Sequence, residues 1–328
     1  MRLGQNPSKK AKTVAKPERV TVAVLNYIPF ISGFYAEMPD VLKVCLNSLR
    51  ENTEVPFDLL VFDNGSCPEV IDYLVNEKEI GNIQFLMLSE KNLGKGGAWN
   101  MILSGAPGEI IAYGDNDIYY KKGWLKQSLE ILETYPNVGM VTARPFRSKR
   151  NYMTSTIAWA ESNPAVRLEE GCIIPWESYR DFNMSIGDSE EKLKELYPTT
   201  TDIHLSFNGV DAFVGASHWQ FTAYKSVIQQ FLPFDMDRPM GQVRQLDERV
   251  NEQGLLRLMI RDSLTVNMSN SLSYVPEVPE LAIPDNAATH ASDVSGIKAK
   301  ILSFGPVKKI LMRFYNLIFK WYFGSKLD

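Results

Sequence analysis

Asp115-Asn116-Asp117 sets two carboxylates two positions apart, directly after the apolar run Ile110-Ile111-Ala112-Tyr113-Gly114. In an extended turn both can face one hard cation, and Mg²⁺ or Mn²⁺ takes oxygen ligands and bridges diphosphate oxygens. The same residues also make a plain strand-to-helix turn; the central apolar strand before them favours the metal reading. Asp63-Asn64-Gly65-Ser66 ends a second apolar run. There an Asp can accept hydrogen bonds from a base or ribose, Gly65 allows a positive φ, and Ser66 can cap the next helix. A simple turn with an N-cap is the plainer alternative. Asn92-Leu93-Gly94-Lys95-Gly96-Gly97 opens a helix with free backbone N–H groups and one cation, a setting for phosphate or ribose. It has neither the P-loop nor the GxGxxG spacing, and a flexible glycine turn would look the same.

The elements around these motifs decide whether they meet. Residues 20–26, 57–62, 83–88, 109–114 and 138–142 read as short buried strands. Helical patterns run between them: 40–52, with Asp40 as the cap and Val41, Leu42, Cys45, Leu46 and Leu49 on one face; 68–79; the segment through Ser104; and 124–135. Strict alternation implies an α/β fold, a mostly parallel sheet with helices on both faces. Ligands of such sheets bind beyond the carboxyl ends of the strands. All three polar motifs follow strand ends, so they are expected on one rim. Beyond residue 142 the pattern loosens. Residues 143–210 read as loops and short elements, 211–224 as a buried apolar stretch, and 242–254 as a polar helix closed by Gly254.

Composition sets the outer bounds. The chain has 328 residues, 45% hydrophobic and 23% charged, which excludes disordered, collagenous and polytopic membrane classes. A net charge of −4 conceals an uneven distribution. Arg2, Lys9, Lys10, Lys12, Lys16 and Arg19 face only Glu18 at the start, and residues 296–328 hold seven Lys or Arg against Asp328. An acidic body with basic ends excludes nucleic acid as the body's partner and points the ends at an anionic surface. Three scattered cysteines, Cys45, Cys67 and Cys172, fit a reducing compartment. No apolar segment follows the basic start, so no leader is expected.

In order and spacing, these stretches resemble the family 2 glycosyltransferases of the GT-A fold. Thr21-Val22-Ala23-Val24-Leu25-Asn26 is similar to that family's opening strand, and Leu42 to Leu49 to its first helix. Val61 to Ser66 matches its DNxS segment, Asn92 to Asn100 its NxGxxxxxN segment, and Asp115-Asn116-Asp117 stands at its DxD. The match is close over 20–145 and looser over 205–275.

The resemblance implies an inverting transfer of a sugar from a nucleotide-diphosphate donor, UDP- or GDP-linked, to a hydroxyl acceptor. Asp63 would contact the base, in a pocket lined by Leu25, Asn26 and Asn64. Asn92, Gly94 and Lys95 would lie near base and ribose or phosphate, and Asn116 would also bind the nucleotide-sugar. Asp115 would touch ribose or the metal, and Asp117 would hold Mn²⁺ or Mg²⁺ directly. The family's base stands at a helix start in the second half, a place occupied here by Leu246-Asp247-Glu248-Arg249; Asp247 is the expected base and Glu248 the alternative. An acidic first turn complementing the helix dipole is the plainer reading. His218 and Trp219 could line the acceptor side, and His290 could close over the metal, unless each is an ordinary core or loop residue.

The resulting organisation is a basic flexible tail (1–19), a nucleotide-sugar-binding half (20–145), an acceptor-binding and catalytic half (146–275), a linker-like segment (276–296) and a basic amphipathic helix (297–328). In that last segment Lys309, Arg313, Asn316 and Lys320 form one helical stripe, opposite Val307, Ile310, Leu311, Phe314, Leu317, Ile318 and Trp321. Such a helix lies in a membrane interface rather than crossing it, or docks on protein. The expectation is a peripheral enzyme on the cytoplasmic face of the cell membrane, acting on a lipid-linked or cell-surface glycan precursor. A nucleotidyltransferase, or a non-catalytic membrane-associated protein binding nucleotide-sugar on this fold, are the alternatives.

Overall fold

Continuous apolar runs, not alternating ones, make the first strands, and both their faces are buried. β1 (Val20–Asn26) is buried at every position. Val20, Val22 and Val24 face one core, while Ala23 and Leu25 face another. The computed structural model describes residues 6–10, 12–237 and 243–274. The segment 297–328, the linker 276–296 and His290 lie outside the described residues, as do residues 1–5 and 11 of the basic tail.

After β1 the order is α1 (Met38–Asn52), β2 (Phe57–Asp63), α2 (Pro68–Glu79), β3 (Phe85–Leu88), α3 (Gly94–Gly105), β4 (Ile110–Asp115), β5 (Ile118–Tyr120), α4 (Trp124–Thr134) and β6 (Val138–Thr142). There follow α5 (Thr154–Ser162), β7 (Arg167–Gly171), α6 (Trp176–Ser185), α7 (Glu190–Leu196), β8 (Asp202–Phe207), β9 (Val210–Val214), β10 (Gln220–Tyr224) and α8 (Lys225–Ile228). The described chain ends with α9 (Val243–Glu252), β11 (Leu256–Met259) and β12 (Thr265–Asn267).

Ten strands form one sheet in the order β3-β2-β1-β4-β10-β6-β11-β9-β8-β7. β3, β2, β1 and β4 are parallel neighbours, and β6 and β11 are a further parallel pair. β10, β9 and β7 run against the rest, so the sheet is mainly parallel. One core packs α1, α2 and α4 on one face. The other packs Ala98, Trp99, Ile102 and Leu103 of α3 with Leu246 and Val250 of α9. The α/β architecture expected from the alternation is therefore the one found.

Two local expectations fail. Helix α1 starts at Met38, with Pro39 in its first turn, so Asp40 is inside the helix and not its cap. Proline there sacrifices no hydrogen bond, because the first N–H groups of a helix have no partner anyway. Ser66 does not cap α2, whose cap position is Cys67; its hydroxyl accepts from the Ile28 N–H at 2.9 Å instead. The stretch 143–210 is also more regular than its composition implied, holding α5 to α7 and the strands β7 and β8 at one end of the sheet.

Candidate functional site

Register alone brings the motifs together. Asn26 lies opposite Asp63, and Leu25 lies opposite Asp115. The carboxyl ends of β1, β2 and β4 thus meet at one rim, and side chains knit it. Asn26 donates to Asp63 Oδ1 at 2.7 Å and accepts from the Asn116 amide at 2.6 Å. The other Asp63 oxygen accepts the backbone N–H groups of Gly65 (3.2 Å) and Ser66 (2.9 Å). Asn64 donates to Asn92 at 3.0 Å and accepts from the Leu93 N–H at 2.9 Å. Asn92 accepts in turn from the Gly94 N–H at 2.8 Å. Gly65, at φ +89°, lets the first loop pass against the second: a Cβ there would lie 3.1 Å from Asn92 N. Leu25 is buried in the core just beneath.

Lys95 does not stand free for a phosphate. Its ammonium lies 2.7 Å from Asp115 Oδ2, and the Tyr113 hydroxyl donates to Asp115 Oδ1 at 2.6 Å. Asp117 has the harsher setting. Burial first, and then the charge of Asp115, pushes its carboxyl up to about 7, opposed by Lys95. Two carboxylates against one ammonium leave an excess of negative charge that a hard divalent cation would relieve. Among the described residues no group of three or more His, Cys, Asp or Glu side chains is arranged for a metal. A cation here would have Asp115 and Asp117 as its protein carboxylates and would need further oxygen ligands from a bound molecule. The turn is fixed from behind, where the Met268 N–H donates to the Asp117 carbonyl at 2.7 Å and β5 pairs with β12.

The residues expected on the acceptor side reach this rim through β10. Gln220 pairs with Gly114, and the Asp115 N–H donates to the Trp219 carbonyl at 3.0 Å. His218 and Trp219 are the two central residues of the tight turn that Ser217 and Gln220 close. The Trp219 ring stacks on Phe182 at 5.6 Å, and the Arg144 guanidinium covers the same ring at 5.2 Å. Beside them opens a cavity of about 490 Å³ lined by Lys121, Arg144, Ser178, Asp181, Val266 and Asn267. Burial pushes Arg144 down to about 10, and burial followed by the charge of Arg144 lowers Lys121.

Asp247 and Glu248 part company. Glu248 is exposed on the outer face of α9. Asp247 is buried, with both oxygens engaged: Oδ2 lies 2.8 Å from His218 Nδ1, and Oδ1 accepts a short bond from Arg257 Nη2. Arg257 also donates to the Tyr152 and Ala216 carbonyls, at 2.5 and 2.6 Å. Sequence reasoning missed Arg257 and Arg144. The available signal was a cation inside or just after an apolar run, Leu255-Leu256-Arg257-Leu258-Met259 and Met140-Val141-Thr142-Ala143-Arg144.

The profile described as Glycosyl transferase family 2 matches residues 30–204, more than half of the chain. An uncharacterized glycosyltransferase of Nostoc sp. is 27% identical over 100 residues, covering 30% of this chain and 31% of that protein. Among solved structures, the S. aureus TarS fragment 1–349 is 13% identical with a TM-score of 0.43, over 76% of this chain and 59% of that one. The mannosyltransferase PcManGT from Pyrobaculum calidifontis, in complex with GDP-Man and Mn²⁺, is 17% identical with a TM-score of 0.42, over 76% and 55%. The chain thus spans less than a third of that Nostoc relative and little more than half of each solved chain.

Proposed function

The chain belongs to glycosyl transferase family 2, and from that premise we propose that it transfers a sugar from a UDP- or GDP-linked donor to a hydroxyl acceptor, by direct displacement at the anomeric carbon with inversion. The observation that carries this reading is the convergence of Asn26, Asp63 and Asp115 at the carboxyl ends of three adjacent parallel strands. There the base and ribose would lie over the Asp63–Asn64 and Asn92–Gly94 loops. The diphosphate would lie toward Asp115 and Asp117. A bound Mn²⁺ or Mg²⁺ supplies charge neutralisation for the leaving diphosphate. Lys95 holds Asp115 in place and adds positive charge beside it. The acceptor hydroxyl would enter past Trp219, where the Asp247–His218 pair can draw off its proton.

A lipid-linked or cell-surface glycan precursor at the cytoplasmic face of the membrane is the acceptor class we favour. The sequence of 307–323, cations on one stripe and aromatics around the rest, supports it. No described helix is long and apolar enough to cross a membrane.

The test is a thermal-shift screen of UDP, GDP, CDP and dTDP, each with Mn²⁺ and with EDTA. A ligand that binds only the folded chain raises its melting temperature. One diphosphate that stabilises with metal and not with EDTA is the expected result. No shift from any of them would leave the three rim motifs as turns and the reading without support.

A further inference from the structure

The family resemblance implies Asp247 as the base, yet its carboxylate is buried and committed on both sides. One oxygen is held by Arg257, whose side chain is 1% exposed, and the other faces His218 Nδ1. A carboxylate only accepts, so in the neutral imidazole the hydrogen sits on Nδ1 and the lone pair on Nε2. The His218 side chain is 34% exposed where that of Asp247 is 9%. It belongs to the turn whose next residue, Trp219, accepts from the backbone of Asp115. The residue of this trio with a solvent-accessible side chain is the imidazole, one position before the residue that bonds the backbone of Asp115.

We propose that His218 takes the acceptor's proton and that Asp247 and Arg257 are positioning residues beneath it. This deepens the sugar-transfer reading and rests on it. The acceptor O–H proton passes to His218 Nε2. The electron pair left on that oxygen forms the bond to the anomeric carbon. The bond from this carbon to the diphosphate oxygen breaks, and its electrons leave with the diphosphate. The imidazolium so formed lies against the Asp247 carboxylate, and its exposed edge returns the proton to solvent.

The experiment uses the full chain with Mn²⁺ and UDP-glucose, UDP-N-acetylglucosamine or GDP-mannose as probes. Water serves as the acceptor, and release of nucleoside diphosphate is the readout. General-base assistance contributes on the order of a hundredfold or more, so His218→Gln is expected to lower kcat by about that factor. Donor dissociation constants should stay within about twofold, since only proton transfer is removed. Imidazole in the buffer should restore release to His218→Gly and not to His218→Gln. Asp247→Asn should lose less than His218→Gln. Melting temperatures identify any variant that fails to fold, and the two His218 variants decide the matter without Asp247→Asn. Normal release by His218→Gln would overturn the assignment, and release abolished beside it in a folded, donor-binding Asp247→Asn would return the base to Asp247. Donor binding without release by the unaltered chain overturns it also. Absence of donor binding by the unaltered chain sinks the sugar-transfer reading and this assignment with it.

Discussion

The two sides of the rim treat their polar atoms in opposite ways. On the side of β1 and β2, Asn26, Asp63 and Asn64 spend both side-chain polar atoms on one another and on neighbouring loops. On the side of β6, β10 and β11, Arg144 Nε, Trp219 Nε1, Gln220 Nε2 and Arg257 Nε are buried with no partner among the described residues. A buried donor left unsatisfied costs about 1–3 kcal/mol. On the first side the strand-end side chains are already paired with one another, while Trp99 Nε1 in the core beneath them is not. The second retains unused hydrogen-bonding capacity, which a ligand or water can complete. Substitutions on the first side should therefore register mainly in stability, and those at the mouth of the second mainly in turnover.

The largest expected effect breaks that rule at its foundation. Arg257→Met leaves the Asp247 carboxylate buried without its guanidinium, and stranding one partner of a buried pair costs about 3–5 kcal/mol. The urea midpoint should fall accordingly. A loss below about 1 kcal/mol would mean that the backbone around Ala216 and Tyr152, and not the ion pair, holds the second side. Next in size is Gly65→Ala, on the first side. A left-handed backbone costs a non-glycine residue about 1–2 kcal/mol, and the new Cβ would press on Asn92 N. The loss should appear in the melting temperature together with weaker nucleotide binding, because the two loops would be pushed apart.

The first side was legible in the sequence because its information is local. Apolar runs ending in Asn26, Asp63 and Asp115 need only a parallel register to bring those residues together, and strict strand–helix alternation dictates that register. The second side depends on contacts that no window contains. β10 inserts antiparallel between β4 and β6, pairing Gln220 with a glycine far earlier in the chain. Asp247 meets His218 across 29 positions. Helix α5 leaves no signature in the sequence because its buried residues are Thr156, Ile157 and Ala160, too few and too small to give a clear apolar stripe. β7 is an edge strand whose residues are mostly exposed, which erases the alternation expected of a half-buried strand.

A smaller effect separates charge from shape at the junction of the two sides. The Asp117 carboxyl titrates at about 7 in the fold against an ordinary value of 3.8. The folded chain holds that proton more tightly than the unfolded one, so this group's contribution to stability declines as pH rises from about 4 through about 7. Asp117→Asn should flatten that slope in melting curves recorded with EDTA. Mn²⁺ acts with the opposite sign, since it needs the ionised carboxylate: its stabilising shift in the unaltered chain should grow as pH rises through about 7. An Asn variant still stabilised by Mn²⁺ with nucleotide would remove Asp117 from the metal's ligands.

The smallest effect is the sharpest control on the acceptor side. Glu248 is adjacent to Asp247 and was the alternative base, yet the helix turns it outward to solvent while Asp247 points to Arg257 and His218. Neighbours one position apart on a helix do not share a face. Glu248→Gln should change stability by no more than about 0.5 kcal/mol. It should leave donor release unaltered, because among the described residues no hydrogen bond or ion pair joins this side chain to the site. Loss of turnover in this variant would mean that α9 presents a different face to the acceptor than the one packed here. The unpaired donors of Arg144, Trp219 and Arg257 would then belong to the core and not to a binding surface.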